Sequence, residues 1–353
     1  MSLVDLKTQP SRSDIQTSVD PVVLCAADDR YAMPLAVTLS SAATSLKVGH
    51  RLIVYLVDGG ITEQSKALLI DSLRLHPVDL NWINADEVDL SDLSVSHHIS
   101  HTAYLRLLAD RWLPKEVARV IYLDSDLLIL HSLTELWEEE LGDHYCLAVP
   151  DIACPFMDAE QFRGKAKHSL PYLATWNPVP NYRELGLDGS AFYFNSGVMV
   201  MNIAKWREQK LGDKLLAALR ENSEHVWCWD QYALNLVCAG HWRPLPMRWN
   251  VGGHVFEYPS DKSVPVSTEE YVEMTRDPAI VHFTTEFKPW DYFCSNPLRD
   301  RFYSQLDQTK WSGWRPQRPH FRLKDSWNRL AVWFCRNWVI NYRKFKLIGN
   351  TRT

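Results

Sequence analysis

The sequence has little that would direct it into or across a membrane. It contains no run of about 18 or more uncharged apolar residues, so no membrane-spanning helix is predicted. Its first 20 residues, MSLVDLKTQPSRSDIQTSVD, lack the basic and then apolar layout of a secretory signal. We therefore expect a cytoplasmic protein with a polar N-terminal lead over residues 1–20.

Closely spaced cysteine pairs are also missing. The seven cysteines are odd in number, and none of them forms a CxxC pair. This pattern argues against both a disulfide framework and a cysteine zinc site. The cysteines are interpreted as free, buried thiols.

Acidic residues are scarce at one end of the chain. Residues 313–353 hold ten Lys or Arg but one acid, Asp325, although the whole chain has a net charge of -5. Aromatic residues such as Trp333 and Trp338 are interleaved with these basic ones. Such a helical tail suits an anionic membrane surface, and the alternative is a helix packed on the body or on a second subunit. Nucleic acid is not expected as a partner, because the body is acidic and no nucleic-acid module is recognisable.

The rest of the chain has the pattern of an α/β protein. Apolar, β-branched runs predict strands at 21–27, 51–57, 78–84 and 119–130. Helical spacing between the first three strands predicts right-handed βαβ units and a mainly parallel central sheet flanked by helices. Such sheets bind ligands at the carboxyl ends of their strands. We predict one domain over 21–310, followed by the basic, aromatic tail over 311–353.

Two aspartates, Asp124 and Asp126, interrupt the last of these apolar runs. An ionised carboxylate in a dry core costs several kcal/mol unless it is paired, protonated or bound to metal. Because an apolar run resumes after Asp126, we expect a turn or bulge at this point. Carboxylates there suit Mg²⁺ or Mn²⁺, which fill the rest of their shell with water and phosphate. A pair of turn or helix-capping aspartates is the alternative interpretation.

A second enzyme class also carries Asp-x-Asp after an apolar strand. In phosphatases of the haloacid dehalogenase type, Thr or Val follows two residues later and the motif lies near the start of the domain. Here that position is Leu128, and three predicted strands precede the motif. This interpretation is therefore disfavoured.

Six ordered segments resemble glycosyltransferase family 8. They cover roughly residues 20–295 and read VVLCAADDRYAMPLAVTLSSA, HHISHTAYLRL, VIYLDSDLLIL, FYFNSGVMVMNIAKW, WDQYALN and HFTTEFKPW. The resemblance implies a GT-A type, Rossmann-like nucleotide-diphospho-sugar transferase fold. It also implies a retaining transfer of a hexose, galactose or glucose, from a UDP-sugar to a hydroxyl group of a glycan or lipid-linked acceptor. The protein would then be cytoplasmic or peripheral at the inner face of the membrane.

The same resemblance implies a metal site. Asp124 and Asp126 would bind Mn²⁺, with Mg²⁺ as an alternative, and His282 would be the third protein ligand. Two carboxylates and one imidazole leave positions for the diphosphate and water. Lys288 would balance the remaining charge on the leaving UDP.

Further positions match the family's donor-binding and reaction-centre motifs. The donor-binding set is Ala26, Asp28, Arg30, Arg106, Ser125, Thr285 and Lys288. The sugar-binding and reaction-centre set is Asp151, Asn195, Asp230 and Gln231. Asp230 and Gln231 are assigned positioning roles, and retention is left open between a carboxylate nucleophile and front-face attack assisted by the leaving phosphate.

Two positions depart from the family's pattern. Arg30 replaces a small polar residue that would contact the donor, and Thr285 replaces a glycine that lets the backbone approach the diphosphate. Two other hypotheses are kept open, and these departures motivate the first of them. One is a non-catalytic, sugar-nucleotide-binding scaffold. The other is a self-glycosylating primer similar to glycogenin, for which Tyr172 and Tyr182 are candidate acceptors.

Overall fold

The computed structural model describes residues 20–85, 90, 92, 93, 101–163 and 173–318. Its strands are β1 Val22–Ala27, β2 Leu52–Asp58, β3 Val78–Asn84, β4 Arg119–Leu123, β5 Leu127–Ile129, β6 Cys146–Pro150, β7 Phe194–Asn202, β8 Trp242–Pro244, β9 Val251–Gly252 and β10 Ile280–His282. Its α-helices are α1 Ala32–Thr44, α2 Glu63–Leu73, α3 Ala109–Trp112, α4 Leu133–Trp137, α5 Glu160–Arg163, α6 Ile203–Gln209, α7 Leu211–Glu221, α8 Trp229–Val237, α9 Thr268–Arg276 and α10 Arg299–Leu306.

Within these residues, seven strands form one sheet in the order β3-β2-β1-β4-β7-β6-β8. The strands from β3 to β4 are parallel, and β7 runs antiparallel to both of its neighbours. Successive residues of β1 enter different cores, because Val23 and Cys25 pack on one face of the sheet and Val22 and Leu24 on the other. A sheet buried on both faces requires near-continuous apolar strands, which is the pattern that predicted it.

The predicted strand 119–130 is divided between two sheets. Its first half is β4 in the large sheet, and its second half, β5, pairs with β10 in a three-stranded sheet that also contains β9. Helix α1 stabilises β5 through buried hydroxyl groups, since the backbone N–H groups of Leu127 and Ile129 donate to Thr38 and Ser41. The chain therefore turns at Asp124, Ser125 and Asp126, as the expectation of a turn or bulge required.

Strand β7 contains a bulge at the FNSG motif. Its pairing with β6 jumps from Met199 to Asn195 across the adjacent residues Ala148 and Val149. The segment between them does not leave the strand, because the N–H of Asp124 still donates to the carbonyl of Gly197 at 2.8 Å. The bulge brings Asn195 and Gly197 beside the end of β4.

The cysteines, the absence of a membrane-spanning helix and the two ends of the chain were also subjects of prediction. The six cysteines of the described residues are free, and all but Cys228 are buried. No helix in the described ranges is long and apolar enough to cross a membrane. The polar lead through residue 19, Tyr172 and most of the basic tail, from residue 319 onward, lie outside the described residues, so the tail's membrane contact stays a prediction.

Arg207 on α6 organises the segment that leads into β4. Its guanidinium donates to five backbone carbonyls, at distances of 2.8 to 3.3 Å, and these belong to Asp110, Leu113, Pro114, Lys115 and Val117. Such a fork of donors matches the fixed geometry of a guanidinium group and cannot be reproduced by an ammonium group. Arg207 thereby sets where β4 begins.

We expect Arg207→Ala to lower the free energy of unfolding by about 2 kcal/mol, because several charge-assisted hydrogen bonds are lost together. Arg111→Ala is the matched control, since Arg111 makes an exposed ion pair with Asp213 that contributes little to stability. Urea denaturation of both variants measures the difference. Equal losses in the two variants would contradict the role assigned to Arg207.

Candidate functional site

One cavity of about 660 Å³ lies at the carboxyl ends of β1 and β4. All of the site residues predicted from the sequence line it, which are Ala26, Asp28, Arg30, Arg106, Asp124, Ser125, Asp126, Asp151, Asn195, Asp230, Gln231, His282, Thr285 and Lys288. The structure thus brings them together, whereas the role of each remains a prediction. The position agrees with ligand binding beyond the carboxyl ends of parallel strands.

The side chains of Asp124, Asp126 and His282 converge in this cavity. One ligand atom from each of them lies within 4.8 Å of the others. The Nε2 atom of His282 lies 3.2 Å from an oxygen of Asp126 and 3.6 Å from an oxygen of Asp124. Residue His282 is placed there by β10, which pairs it with Leu127 just after the two aspartates. Two carboxylates and an imidazole are a suitable ligand set for a divalent cation.

A chain of hydrogen bonds determines which nitrogen of His282 carries the proton. The Asp151 carboxylate only accepts, so the amide NH₂ of Asn195 points to it, at 3.0 Å. The oxygen of Asn195 then accepts from the amide of Asn250, at 2.9 Å, and the oxygen of Asn250 faces Nδ1 of His282, also at 2.9 Å. Nδ1 must therefore be the donor. In the neutral imidazole, the lone pair of Nε2 is then directed at the two aspartates, as metal ligation requires.

Gly197 in the β7 bulge provides the space for this cluster. A Cβ atom at this position would lie 2.2 Å from Cε1 of His282 and 2.8 Å from an Asp124 oxygen. No side chain fits there without displacing a ligand. The FNSG motif thus contributes a glycine for close approach, in addition to the asparagine predicted from the sequence.

Two permanent cations lie among the carboxylates, of which Arg106 is buried and Lys288 partly buried. The Arg106 guanidinium lies 2.8 Å from Asp124 and 3.2 Å from Asp230, and it stacks over the ring of Tyr122. Lys288 donates to Asp126 at 2.6 Å and to the carbonyl of Phe283. Arg106 therefore lies between two acids. Its contact with the donor stays a prediction.

Burial and these cations act in opposite directions on the acids. Burial raises the pKa of Asp230, although Arg106 partly offsets it. Burial also works to raise the pKa of Asp126, but the ammonium of Lys288 opposes it, and that pKa lies below its usual range. The pKa of Lys288 is raised in turn, because the attraction of Asp126 exceeds the cost of burying the ammonium. Asp126 and Lys288 are thus a charged pair.

We refer to Asp124, Asp126, Asp151, Asp230, Arg106, Lys288 and His282 as the inner cluster. With a neutral His282, it has four carboxylates and two permanent cations, an excess of two negative charges. Uncompensated buried charge is strongly destabilising. A divalent cation on the three ligands would neutralise the excess, so both the donor atoms and the charge fit a metal ion.

Two amide side chains link the reaction-centre residues. Asp151 accepts from the amides of Asn195 and Gln231, each at 3.0 Å, and from the backbone N–H of Ala153. The oxygen of Gln231 accepts from the backbone N–H of Ser196. The hydroxyl of Ser196 donates to Asp230. Asp151, Asn195, Gln231 and Asp230 are thereby connected in one network along the cavity wall.

Several predicted donor contacts already have protein partners. Asp28 accepts from the backbone and guanidinium of Arg30, and Ser125 donates to the carbonyl of Ala26. The hydroxyl of Thr285 donates to the carbonyl of Phe287 at 3.3 Å. The Arg30 side chain is 60% exposed, so it can leave Asp28 for another anion. Ala26, Asp28 and Thr285 keep their predicted positions near the end of β1 and after β10.

Sequence patterns missed the residues that support the ligands. Asn250 fixes His282, and the hydroxyl of Tyr122 donates to Asp124 at 3.0 Å. Neither has a spacing that signals a site, since Tyr122 lies inside an apolar strand. The candidate acceptor Tyr182 is buried, and its hydroxyl donates to Asp158 at 2.5 Å. This contact removes support for self-glycosylation at Tyr182.

Known proteins are similar in sequence to this chain over most of its length. The sequence model described as Glycosyl transferase family 8 matches residues 22–294. General stress protein A of Bacillus subtilis is 27% identical over 294 residues, which is 82% of this chain and 94% of that protein. A lipopolysaccharide 1,2-glucosyltransferase of Escherichia coli is 23% identical over 312 residues, which is 88% of this chain and 84% of that one.

Solved structures share the fold. The galactosyltransferase LgtC, in complex with donor and acceptor sugar analogues, matches with a TM-score of 0.67 and 23% identity, over 82% of this chain and 96% of that chain. The bifunctional glycosyltransferase WbbM matches with a TM-score of 0.66 and 21% identity, over 84% of this chain and 51% of that chain. The expected GT-A fold is thereby confirmed.

We expect Gly197→Ala to abolish divalent-ion binding, because the added methyl group displaces His282 or Asp124. Overpacking of this kind costs about 1–3 kcal/mol of stability. Gly49→Ala is the control, since Gly49 has φ +91° and nothing within 4 Å of an added Cβ, so strain alone is introduced. Isothermal titration with Mn²⁺ measures both variants. Loss of binding in both would show that destabilisation, and not the lost space, is responsible.

We expect Asn250→Leu to weaken Mn²⁺ binding by about 10- to 100-fold, since losing the hydrogen-bond partner of a metal-bound histidine has an effect of this size. Asn250→Asp retains an acceptor for Nδ1 and should lose less. Asn81→Leu removes an exposed amide on β3 and serves as the control. ¹⁵N NMR reports the tautomer directly. An unchanged tautomer of His282 together with an unchanged affinity for Mn²⁺ would contradict the role assigned to this chain of hydrogen bonds.

Proposed function

Since this chain belongs to glycosyltransferase family 8, we propose that it transfers galactose or glucose from a UDP-sugar to a hydroxyl group of a glycan or lipid-linked acceptor. Mn²⁺ is the proposed cation, and the anomeric configuration is retained. Membership in this family excludes the phosphatase interpretation of the Asp-x-Asp motif. Similarity to a lipopolysaccharide glucosyltransferase supports a hexose donor and a glycan acceptor.

One observation carries the proposal. The inner cluster combines three ligands for a hard cation with an uncompensated excess of two negative charges, inside a cavity of about 660 Å³. A scaffold that only held a sugar nucleotide through its base and ribose would not need this costly arrangement of buried charges. The arrangement supports chemistry in which negative charge develops on a leaving diphosphate.

The ligand set favours Mn²⁺, since a mixed carboxylate and imidazole site suits this ion better than Mg²⁺, which prefers oxygen ligands. When bound, the cation would act as a Lewis acid that stabilises charge on diphosphate oxygens. Lys288 is held beside the cation site by Asp126 and by the carbonyl of Phe283, so its ammonium is oriented before substrate arrives. Such preorganised charge is the main electrostatic contribution to rate.

The amide network is proposed to bind the donor sugar. Asp151, Asn195 and Gln231 hold one another through hydrogen bonds, and they line the same cavity as the cation ligands. Sugar hydroxyl groups donate to carboxylates and accept from amides, so this wall offers both partners. Their mutual bonds would fix the sugar's orientation at the reacting carbon.

The surroundings of Asp230 support a positioning role. Its Oδ2 atom is engaged by Arg106 at 3.2 Å and by the hydroxyl of Ser196 at 3.0 Å. A carboxylate tied in this way is a poor nucleophile. We therefore favour attack by the acceptor hydroxyl on the face that the UDP leaves, with the proton passing to the departing phosphate oxygen. Asp230 then holds Arg106 and Ser196 in place.

We expect Asp126→Asn to reduce Mn²⁺-stimulated UDP release from UDP-galactose or UDP-glucose by at least roughly 100-fold, since several kcal/mol of charge stabilisation are lost. The substitution preserves the volume of the side chain and removes the negative charge of one carboxylate ligand. Asp143→Asn is the control, because Asp143 is an exposed carboxylate paired with Lys205 on the surface. Purified proteins are assayed with a panel of UDP-sugars, with and without Mn²⁺.

The remaining outcomes distinguish the alternatives. UDP binding without release from any donor would favour the non-catalytic scaffold. An increase in the intact mass of the protein during incubation with donor would favour self-glycosylation. Release that is independent of Mn²⁺ and unchanged in Asp126→Asn would contradict the proposed site.

A further inference from the structure

A second cavity, of about 340 Å³, adjoins the first. Trp176 lines both of them, so the two cavities share this indole ring. The second cavity is lined by residues 158–160 at the start of α5, by part of the segment 175–183 and by Trp227 just before α8. Its volume is within the range of small-molecule sites. No predicted site residue lies in it.

Two tryptophans provide an aromatic surface at this cavity. The rings of Trp176 and Trp227 are stacked, with centroids 5.9 Å apart and planes inclined by 24°. Trp227 is 58% exposed, although an indole ring of this size is normally buried for much of its area. Exposed indole rings with one apolar face and a nearby polar rim are typical of ligand sites.

The polar groups around the indoles are oriented by the protein. The oxygen of Asn177 accepts from the N–H of Ala159 at 2.9 Å, which leaves its amide nitrogen as a donor at the cavity. The Arg183 side chain is 77% exposed and uses two of its nitrogens, bonding Tyr182 and Asp158, so other N–H groups remain. Asp158 is a carboxylate acceptor held by Tyr182. Donors and an acceptor thus surround an aromatic face.

This combination matches the chemistry of a pyranose ring. A sugar has an apolar face of C–H groups, which stacks on an indole, and a rim of hydroxyl groups, which bond amide, guanidinium and carboxylate groups. An apolar protein partner would instead need a wide hydrophobic patch, and the cavity's rim is polar and charged. A phosphate would meet the Asp158 carboxylate.

The backbone connects this surface to the reaction centre. Trp227 is three residues before Asp230, and Trp229 between them has φ +44°, a left-handed conformation that a bulky residue rarely adopts. Strain of this kind is retained where the surrounding structure requires it. The strained segment holds Trp227 at the second cavity while α8 presents Asp230 and Gln231 to the first.

We propose that the second cavity is an acceptor subsite, which binds a pyranose ring of the acceptor glycan next to the sugar that receives the transferred hexose. The inference rests on the proposed function, because a glycan acceptor must reach the first cavity from outside. Binding at a distance from the reacting hydroxyl group would favour acceptors of two or more sugars over single sugars.

Trp227→Ala tests the subsite. The probes are lactose, maltose and N,N′-diacetylchitobiose, each titrated by saturation-transfer NMR into protein containing UDP and Mn²⁺. At least one disaccharide should bind the unmodified protein, and Trp227→Ala should weaken it about tenfold, a typical cost for removing a central tryptophan. Trp227→Phe should restore part of the affinity. Trp314→Ala is the control, since Trp314 is another partly exposed indole and lines neither cavity.

UDP binding and UDP release are measured on the same variants, because they depend on the first cavity alone. If both are unchanged while disaccharide binding falls only in Trp227→Ala, the subsite is supported. If no disaccharide binds, or if Trp227→Ala binds all of them as the unmodified protein does, the subsite is refuted and the transferase remains. If the unmodified protein neither binds nor releases UDP, the proposed function fails first.

Discussion

The crowding of four carboxylates at the end of β4 is the constraint that shapes the site. Charges of the same sign in a low-dielectric interior repel strongly, so such a group persists only if opposite charge is built around it. Arg106 precedes β4 in the chain and Lys288 follows β10, and both are held against the aspartates by ion pairs. The two sheets are therefore connected by electrostatics as well as by packing. The same cations still leave a negative excess, and this imbalance favours a positive charge in the cavity.

Around these charges, the polar network has few alternative arrangements. Asp151 can only accept hydrogen bonds, and this property orients Asn195, then Asn250 and finally His282. The carboxylate of Asp151 thus determines the tautomer of His282 through three successive hydrogen bonds. Buried polar networks that are fully satisfied are rigid and specify one arrangement. The cluster can consequently be organised before any ligand arrives, which lowers the reorganisation needed during the reaction.

Much of this could be predicted because its signals are local. Near-continuous apolar runs separated by helical segments predicted the parallel sheet. The interruption of one run by Asp124 and Asp126 predicted the turn between β4 and β5. The motif order indicated the family and the set of cavity residues. The supporting contacts could not be predicted, since Asn250 and Tyr122 act through tertiary proximity and not through spacing. The ion pair between Asp28 and Arg30 was missed for another reason: the sequence shows both residues but not that they satisfy each other.

The antiparallel pairing of β10 with β5 has a consequence for the order in which the molecule is assembled. His282 reaches the aspartates only when β10 has aligned with Leu127, and the contact between Lys288 and Asp126 spans 162 residues of chain. Closing so large a loop is an entropically costly and late event. During synthesis, the acidic turn emerges soon after Arg106 but long before Lys288 and His282, so Asp126 must wait without its cationic partner. The cluster of Asp124, Asp126 and His282 is therefore complete only after β10 has docked, so capture of an ion there would report this long-range step in a newly made chain.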